Sequence, residues 1–449
     1  MNSKHINMDE TFARQLFKKL CKVFNDTVVA LAKSQVHHVK ISNNKVSVLK
    51  SWETYHTEIF AALGKRVVSC SIQDAAVDVD AVVRQVVALA KASAENHDYH
   101  GIAKGPFKYP EIKDIYDKRV SALVPKLGDI AQRGIHAALS SGASRVAGVL
   151  ELTETEHLLL TSGNVDVSEK GSALYFSLRA FTDKDASGHD LALSRTLQNW
   201  KFEQAARKAA EIAVMARNPK NGSLGTFDVL FEPLPFANLL EKVGRAASIF
   251  DVEACLSFFV DSINKKVASD AVTLHDTGIL PNGLASSRSD AEGVPSKKTV
   301  IIEKGIFKNY IHNTSTAKKY STSTTANAGL IAPHPRNIIL TPGRESPKRL
   351  MEQVKRGIYI TNVWYTRSQN MMTGDFSTIP RDGIFYIEDG KIKHPIKNIR
   401  ISENMQHILQ NINTIANDSK QVKGWEVEDP VVTPSVLVKG LNISRPFEL

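Results

Sequence analysis

Apolar side chains follow two different spacings near the start of the chain. Residues 9–33 carry them about every three to four positions, which predicts a helix. Residues 38–42 and 45–49 alternate apolar with polar side chains on either side of Asn43 and Asn44, which favours a β-hairpin. A further strand pair is predicted around Gly64 and Lys65.

The rest of the first half mixes both spacings. Helices are predicted at 73–96, opened by Asp74, at 114–141 and at 196–217. Strands are predicted at 145–152, 157–161 and 173–182. Residues 188–195 are polar and favour a turn.

A cluster of helix and strand breakers, from Asn218 to Gly222, marks the boundary between two predicted domains. Beyond it, helices are predicted only at 236–249 and 402–416. Short strands separated by turns are predicted at 228–231, 298–303, 305–312, 337–340, 357–364, 383–387, 435–438 and 441–444. Because strands and helices do not alternate regularly, the pattern disfavours a doubly wound sheet or a (β/α)₈ barrel.

The predicted fold class is therefore α+β, in two domains with mixed or antiparallel sheets. Residues 1–220 form the N-terminal α+β domain. Residues 221–449 form a strand-rich C-terminal domain. The length of 449 residues agrees with two to three domains at roughly 150 residues each.

Composition changes this picture little. Apolar residues make up 42% of the chain and charged residues 23%, which is ordinary for a globular protein and excludes global disorder. The formal charge of +10 is dispersed, because the densest basic positions are only lysine pairs. A solvated basic surface explains this distribution better than a nucleic-acid site, although a weak contact with a polyanion stays open.

Motifs for common chemistries are missing. The three cysteines are too few and too far apart for a disulfide framework. The sequence contains no phosphate-binding loop, no dinucleotide fingerprint, no GxSxG and no HExxH. The first residues lack the apolar core of a signal peptide, and no apolar run approaches a membrane span, so a cytoplasmic protein is expected.

One helix carries a charged pair worth noting. In the predicted helix at 236–249, Glu241 and Arg245 lie four residues apart on one face. On spacing alone this is an ordinary surface ion pair within an amphipathic helix.

Several stretches in the second half nevertheless occur in a specific order, supported in the first half by Gly64 to Val67 and the helix at 73–96. With these stretches, the chain resembles the TldD/PmbA family, the modulator of DNA gyrase proteins, over nearly its whole length. The stretches are 260–269, 290–295, 313–317, 335–337, 341–343, 357–361, 373–377 and 389–392, followed by Pro395.

The resemblance implies a choice between two arms of that family. The TldD arm is a zinc metallopeptidase with an HExxxH helix and a cysteine near the C-terminus, whereas the TldE (PmbA) arm is its partner and lacks those ligands. Here Leu240 and Arg245 stand at the two histidine positions, Glu241 at the glutamate and Gly244 at the glycine. The stretch 424–434, where the cysteine is expected, contains none. The chain is therefore most similar to the TldE arm.

The donor chemistry agrees with this assignment. Leucine has no donor atom, and the guanidinium of arginine is a permanent cation that cannot ligate zinc. The resemblance then implies a non-catalytic subunit without a cofactor of its own, paired with a TldD-type subunit that holds the zinc. Peptides or unfolded proteins would be the substrate of the pair.

Four residues are candidates for contact with a peptide: Asp290, Glu292, Asn313 and Asp375. Solvated turn residues would explain the three carboxylates equally well. The strand at 357–364 could offer backbone groups to an extended peptide by β-augmentation.

Two other functions stay open. The chain could be a metallopeptidase in its own right, with ligands drawn from His312, His334, Glu292 and Asp290. It could instead be a binding protein for peptides or nucleic acid. Nucleic acid is disfavoured, because the four tryptophans form no stacking array in the sequence.

Overall fold

The computed structural model describes residues 9–73 and 78–445. Its first half is built on one antiparallel sheet of six strands, in the order β3-β2-β1-β4-β5-β6. The strands are β1 (Asp26–Ser42), β2 (Lys45–Leu63), β3 (Arg66–Gln73), β4 (Arg145–Thr161), β5 (Val165–Phe181) and β6 (Ser187–Ser194). Asn43 and Asn44 close the predicted hairpin, both with positive φ.

Some predictions in this half are wrong. The helix predicted at 114–141 is confined to Leu127–Ser140, after a 3₁₀ turn at Ser121–Lys126. The helix predicted at 9–33 ends at Leu20, and β1 begins at Asp26, because this segment pairs with strands on both sides. Its apolar residues include the β-branched Val28 and Val29, which favour an extended chain. The stretch 188–195 is not a turn but the edge strand β6, whose His189 side chain lines a cavity.

The helices of the described residues are short to medium in length. They are α1 (Glu10–Leu20), α2 (Val79–Ala92), α3 (Leu127–Ser140), α4 (Phe202–Met215), α5 (Pro233–Ala246), α6 (Ile249–Glu253), α7 (Thr314–Lys319), α8 (Pro347–Glu352) and α9 (Met405–Gln410), with 3₁₀ turns at Ser121–Lys126 and Leu197–Asn199. Asp78 caps α2, and the predicted opener Asp74 lies outside the described residues.

The two faces of the first sheet have different neighbours. Helices α1 and α2 pack at one end of one face, and α3 and α4 at the other end of the same face. The opposite face turns toward the second half, and its side chains line cavities between the halves. The sheet is therefore the middle layer of the molecule.

The second half contains two sheets. Its strands are β7 (Lys220–Asn221), β8 (Gly225–Phe231), β9 (Leu274–Thr277), β10 (Lys298–Glu303), β11 (Ile306–Phe307), β12 (Asn337–Leu340), β13 (Arg356–Ile360), β14 (Val363–Asn370), β15 (Asp375–Pro380), β16 (Ile384–Glu388), β17 (Lys391–Lys397), β18 (Arg400–Asn404), β19 (Ile412–Ile415), β20 (Lys420–Gly424), β21 (Val427–Thr433) and β22 (Val436–Ser444).

The smaller sheet has the order β11-β10-β9-β12-β21-β20. The larger sheet has the order β14-β15-β18-β22-β8-β13-β16-β17-β7, with β19 also pairing with β22. Most pairs are antiparallel, whereas β12 with β21, β8 with β13 and β7 with β17 are parallel. One large apolar core joins both sheets to α5.

The predicted α+β class with antiparallel and mixed sheets and a strand-rich C-terminal half is confirmed. Helix α5 starts three residues earlier than predicted, and the helix predicted at 402–416 is only α9 followed by β19. The strand predicted at 305–312 is limited to Ile306–Phe307. Domain limits at 220 and 221 stay a prediction. Among the described residues, no helix is long and apolar enough to cross a membrane.

Candidate functional site

Helix α5 is the element on which the candidate site depends. It begins at Pro233, directly after the extended N-cap residue Glu232, and it packs against β21 and β12. Leu240 is 1% exposed and belongs to the apolar core. Gly244 lies against Ile338 of β12, since a Cβ at this position would stand 2.3 Å from the Ile338 Cδ1 atom. Both residues therefore have packing roles.

Arg245 is the centre of an acidic cluster. Its Nε lies 2.6 Å from Oδ2 of Asp429, and its Nη2 lies 2.9 Å from Oε2 of Glu428. The same Nη2 is 3.3 Å from Oε1 of Glu241. The predicted pair of Glu241 and Arg245 exists, but β21 supplies the two closer carboxylates.

Glu241 holds helix and strand together. Its Oε1 accepts hydrogen bonds from the backbone N–H groups of Glu428 at 2.7 Å and Asp429 at 2.8 Å. Burial raises the pKa of this carboxyl, while the backbone donors and Arg245 oppose the shift. The structure thus brings the helix motif together with the stretch at 424–434, where the resemblance places the other end of the metal site.

These residues do not fit a zinc ion. Leu240 offers no donor, and the guanidinium of Arg245 neutralises the carboxylates that a cation would need. Within residues 9–73 and 78–445, no group of three or more His, Cys, Asp or Glu side chains is placed to hold a metal. The alternative set of His312, His334, Glu292 and Asp290 is included in that finding.

Asp290 and Glu292 are not solvated turn carboxylates. Asp290 is 2% exposed and accepts hydrogen bonds from the backbone N–H groups of Glu292, Val294 and Ala328. Burial raises the pKa of Asp290 to about 6. Burial, with the Asp290 charge nearby, raises the pKa of Glu292 to about 8. These groups organise a buried loop.

Asn313 and Asp375 lie in different places. Asn313 caps α7 in a capping box with Thr316, and it lines one cavity together with Glu292. Asp375 begins β15, where it accepts hydrogen bonds from Thr373 and Asn404. It lines a separate cavity beside Arg245. The four candidates therefore do not form one site.

A cavity of about 570 Å³ lies between the first sheet and the second half. Helix α5 contributes Leu234 and Asn238 to its wall, one turn before Glu241. Trp364 of β14 and Trp425 of the β20–β21 hairpin also line it. Concave, largely apolar walls with a few polar groups are typical of ligand sites.

The polar wall of this cavity contains a chain of hydrogen bonds. Asp382, 2% exposed in its side chain, accepts from Arg179 at 2.6 Å and from the Asn362 amide nitrogen at 3.0 Å. That nitrogen also lies 3.3 Å from Nδ1 of His189, whose Nε2 is 2.8 Å from Oγ of Ser177. Burial would raise the pKa of Asp382, but the Arg179 guanidinium and the hydrogen bond from Ser187 hold it below its usual range.

The order of residues suggests a serine–histidine–aspartate triad, but the hydrogen bonds exclude it. Because the Asn362 amide oxygen accepts from the Val363 N–H, its nitrogen must donate to His189. Nδ1 of His189 is then the acceptor and Nε2 carries the proton. This tautomer donates to Ser177 and cannot remove its proton. These hydrogen bonds fix the positions of the side chains and do not activate a nucleophile.

The sequence pattern indicates α5 but not the cavity. Ser177 and Arg179 alternate with core residues along β5, and that alternation is a visible signal for a second functional face. The pairing of β5 with β6 could not be predicted once 188–195 was taken as a turn. Asp382 also gave no signal, because its ion-pair partner Arg179 lies 203 positions away in the chain.

Comparison with known proteins settles the family. The PmbA/TldA metallopeptidase central domain matches residues 113–217, and the C-terminal domain of the same family matches residues 224–445. The chain belongs to the TldD/PmbA family. The resemblance predicted from the ordered stretches is confirmed.

Relatives from both arms of this family match. A TldD homologue of Buchnera aphidicola subsp. Schizaphis graminum is 29% identical, over 50% of this chain and 47% of its own length. A PmbA homologue of Haemophilus influenzae is 28% identical, over 55% and 51%. The chain thus spans about half the length of these curated relatives.

A solved structure has the same fold over almost the whole chain. TldE from Thermococcus kodakarensis superposes with a TM-score of 0.85 at 21% identity, covering 96% of this chain and 100% of that one. At this identity the likeness concerns the fold alone.

Proposed function

We propose that this TldD/PmbA family member is a TldE-type, non-catalytic subunit that pairs in the cytoplasm with a TldD-type zinc metallopeptidase. The observation that carries the proposal is the cluster around Arg245. The guanidinium takes the place of a ligand and neutralises Glu241, Glu428 and Asp429, and Leu240 is packed in the core. This chain then contributes no hydrolytic step of its own.

The role of the subunit would be to help enclose a peptide that the partner cleaves. The cavity between the halves supports this role, because it lies beside α5 and combines apolar walls with fixed polar groups. The edge strand β14, which borders the cavity at Val363 and Trp364, has pairing only to β15 among the described strands. Its free side could accept an extended peptide.

The test is zinc content and peptide cleavage, measured on this chain alone and after mixing with a TldD-type subunit. We expect no bound zinc and no cleavage from the chain alone, and a stable complex with chelator-sensitive cleavage after mixing. Near-stoichiometric zinc with chelator-sensitive cleavage by the lone chain would overturn the proposal. Failure to form a complex would overturn the partnership.

A further inference from the structure

The rim of the cavity between the halves carries two tryptophans that no internal contact explains fully. Trp425 is 88% exposed at the tip of the β20–β21 hairpin. Trp364 is 37% exposed, with the Arg381 guanidinium 4.2 Å from its ring centre. Exposed indole rings at the mouth of an apolar cavity are typical of contact sites rather than of solvated surface.

A side chain of α5 fixes the tip of the β20–β21 hairpin. The Asn238 side chain of α5, 2% exposed, donates a hydrogen bond of 2.5 Å to the backbone carbonyl of Glu426. Within the described part of the chain, the amide oxygen of Asn238 has no hydrogen-bond partner. This oxygen is covered by protein, so Asn238 bears on the cavity through its bond to the hairpin that carries Trp425.

The opposite wall of the cavity carries polar groups from β5. The tautomer of His189 fixes Ser177 as its hydrogen-bond acceptor, and Tyr175 lies beside Ser177 on the same face of β5. Burial raises the pKa of Tyr175, so its hydroxyl stays a donor at neutral pH. A backbone carbonyl is a suitable acceptor for it.

We propose that this cavity binds an extended peptide segment by seating one aromatic side chain at the rim formed by Trp364 and Trp425. The peptide backbone would lie along β5, where the Tyr175 hydroxyl offers a donor. This inference rests on the proposed function for its substrate class, and it adds a preference for aromatic side chains. The rim offers apolar rings, and the only carboxylates on the described cavity wall are Asp382, held by two arginines, and Glu426.

The test measures direct binding to the isolated full chain, so that it does not depend on any partner. The probes are a fluorescein-labelled Gly/Ser peptide with one central phenylalanine and the same peptide with alanine, compared by fluorescence anisotropy. We expect the phenylalanine peptide to bind about tenfold more tightly, as the burial of an aromatic ring predicts. Trp425→Ala should remove most of that difference in affinity, because the variant lacks one of the two rings at the rim. The variant should fold, since the Trp425 side chain is exposed.

Tyr116→Ala is the matched control, because Tyr116 is an aromatic residue with 41% exposure that does not line this cavity. Equal affinity for both peptides, or an unchanged preference in Trp425→Ala, would overturn the inference. Equally tight binding of free N-acetylphenylalaninamide would overturn the peptide assignment. If the isolated chain shows the preference but no partner is found, the proposed function fails and this inference stands. If mixing with a TldD-type subunit gives cleavage but the isolated chain shows no preference for phenylalanine, this inference fails and the proposed function stands.

Discussion

At the scale of single residues, Arg245 shows how one guanidinium can hold carboxylates from two elements together. Its guanidinium contacts carboxylates from its own helix and from β21. A buried carboxylate such as Glu241 needs a counter-charge or hydrogen-bond donors to stay ionised. Arg245 and two backbone N–H groups supply them.

Arg245→Ala should lower the free energy of unfolding by about 1–3 kcal/mol at neutral pH, because Glu241 and Asp429 lose their shared counter-charge. The side chain is 42% exposed, so the loss stays below that of a fully buried pair. Urea denaturation measures it. Arg349→Ala removes a surface pair with 69% exposure and should change stability by less than about 0.5 kcal/mol. Equal losses of unfolding free energy in both variants would show that Arg245 acts only as an ordinary surface charge.

The raised pKa of Glu292 should make the free energy of unfolding depend on pH. Its pKa in the folded protein, about 8, lies above the ordinary value of 4.5. The folded state therefore holds the proton more tightly, and this contribution is fully present below about pH 4.5 and is lost as the pH rises through 8. Glu292→Gln keeps a neutral group at every pH. Its unfolding free energy relative to wild type should rise on the order of 2–4 kcal/mol between about pH 5 and pH 9.

Thermal unfolding across that pH range measures the effect. The control is Glu303→Gln, which changes an exposed glutamate at the end of β10 and should leave the pH profile of the wild type in place. A flat difference between Glu292→Gln and wild type would show that Glu292 is ionised in the folded chain.

At the scale of elements, the close contact of α5 with β12 places a strict limit on one position. Gly244→Ala puts a methyl group 2.3 Å from the Ile338 Cδ1 atom and should cost about 1–3 kcal/mol, despite the better helix propensity of alanine. Gly128→Ala in α3 meets nothing within 4 Å and should be neutral or stabilising by at most about 1 kcal/mol. Chemical denaturation compares the two, and a harmless Gly244→Ala would show that α5 can move away from β12.

The sequence predicted elements best where a local pattern was sufficient. The turn at Asn43 and Asn44 was predicted because asparagine tolerates positive φ. The segment after Leu20 was not, since a run of apolar residues has no unambiguous period and pairing with β2 and β4 decides its form. The site could be located on α5 by resemblance, but its closing partner Asp429 comes from a strand 184 positions away.

At the scale of the whole molecule, charged contacts join the two halves across the first sheet. Arg179 of β5 pairs with Asp382, Lys208 of α4 lies 2.6 Å from Glu232, and Lys420 pairs with Asp190. Glu232 also accepts a hydrogen bond from Tyr359 and stands directly before α5. The start of α5 is thereby fixed to the first half.

Asp382→Asn should weaken this connection, because Arg179 and Arg381 lose their counter-charge while the shape of the side chain is kept. We expect the unfolding free energy to fall by about 2–3 kcal/mol and proteolysis to become faster between residues 217 and 224. Asp389→Asn, at an exposed turn, serves as the control and should behave as wild type. Unchanged proteolysis in Asp382→Asn would mean that apolar packing alone holds the halves.

The packing of Leu240 and the ion pairs of Arg245 limit which substitutions this helix can accept one at a time. Changing Leu240 to histidine first would bury an imidazole in an apolar core, and changing Arg245 first would leave its carboxylates repelling one another. Each single step lowers stability before both together could offer ligands. Under the proposed function, a change toward metal binding would therefore have to pass through a destabilised intermediate.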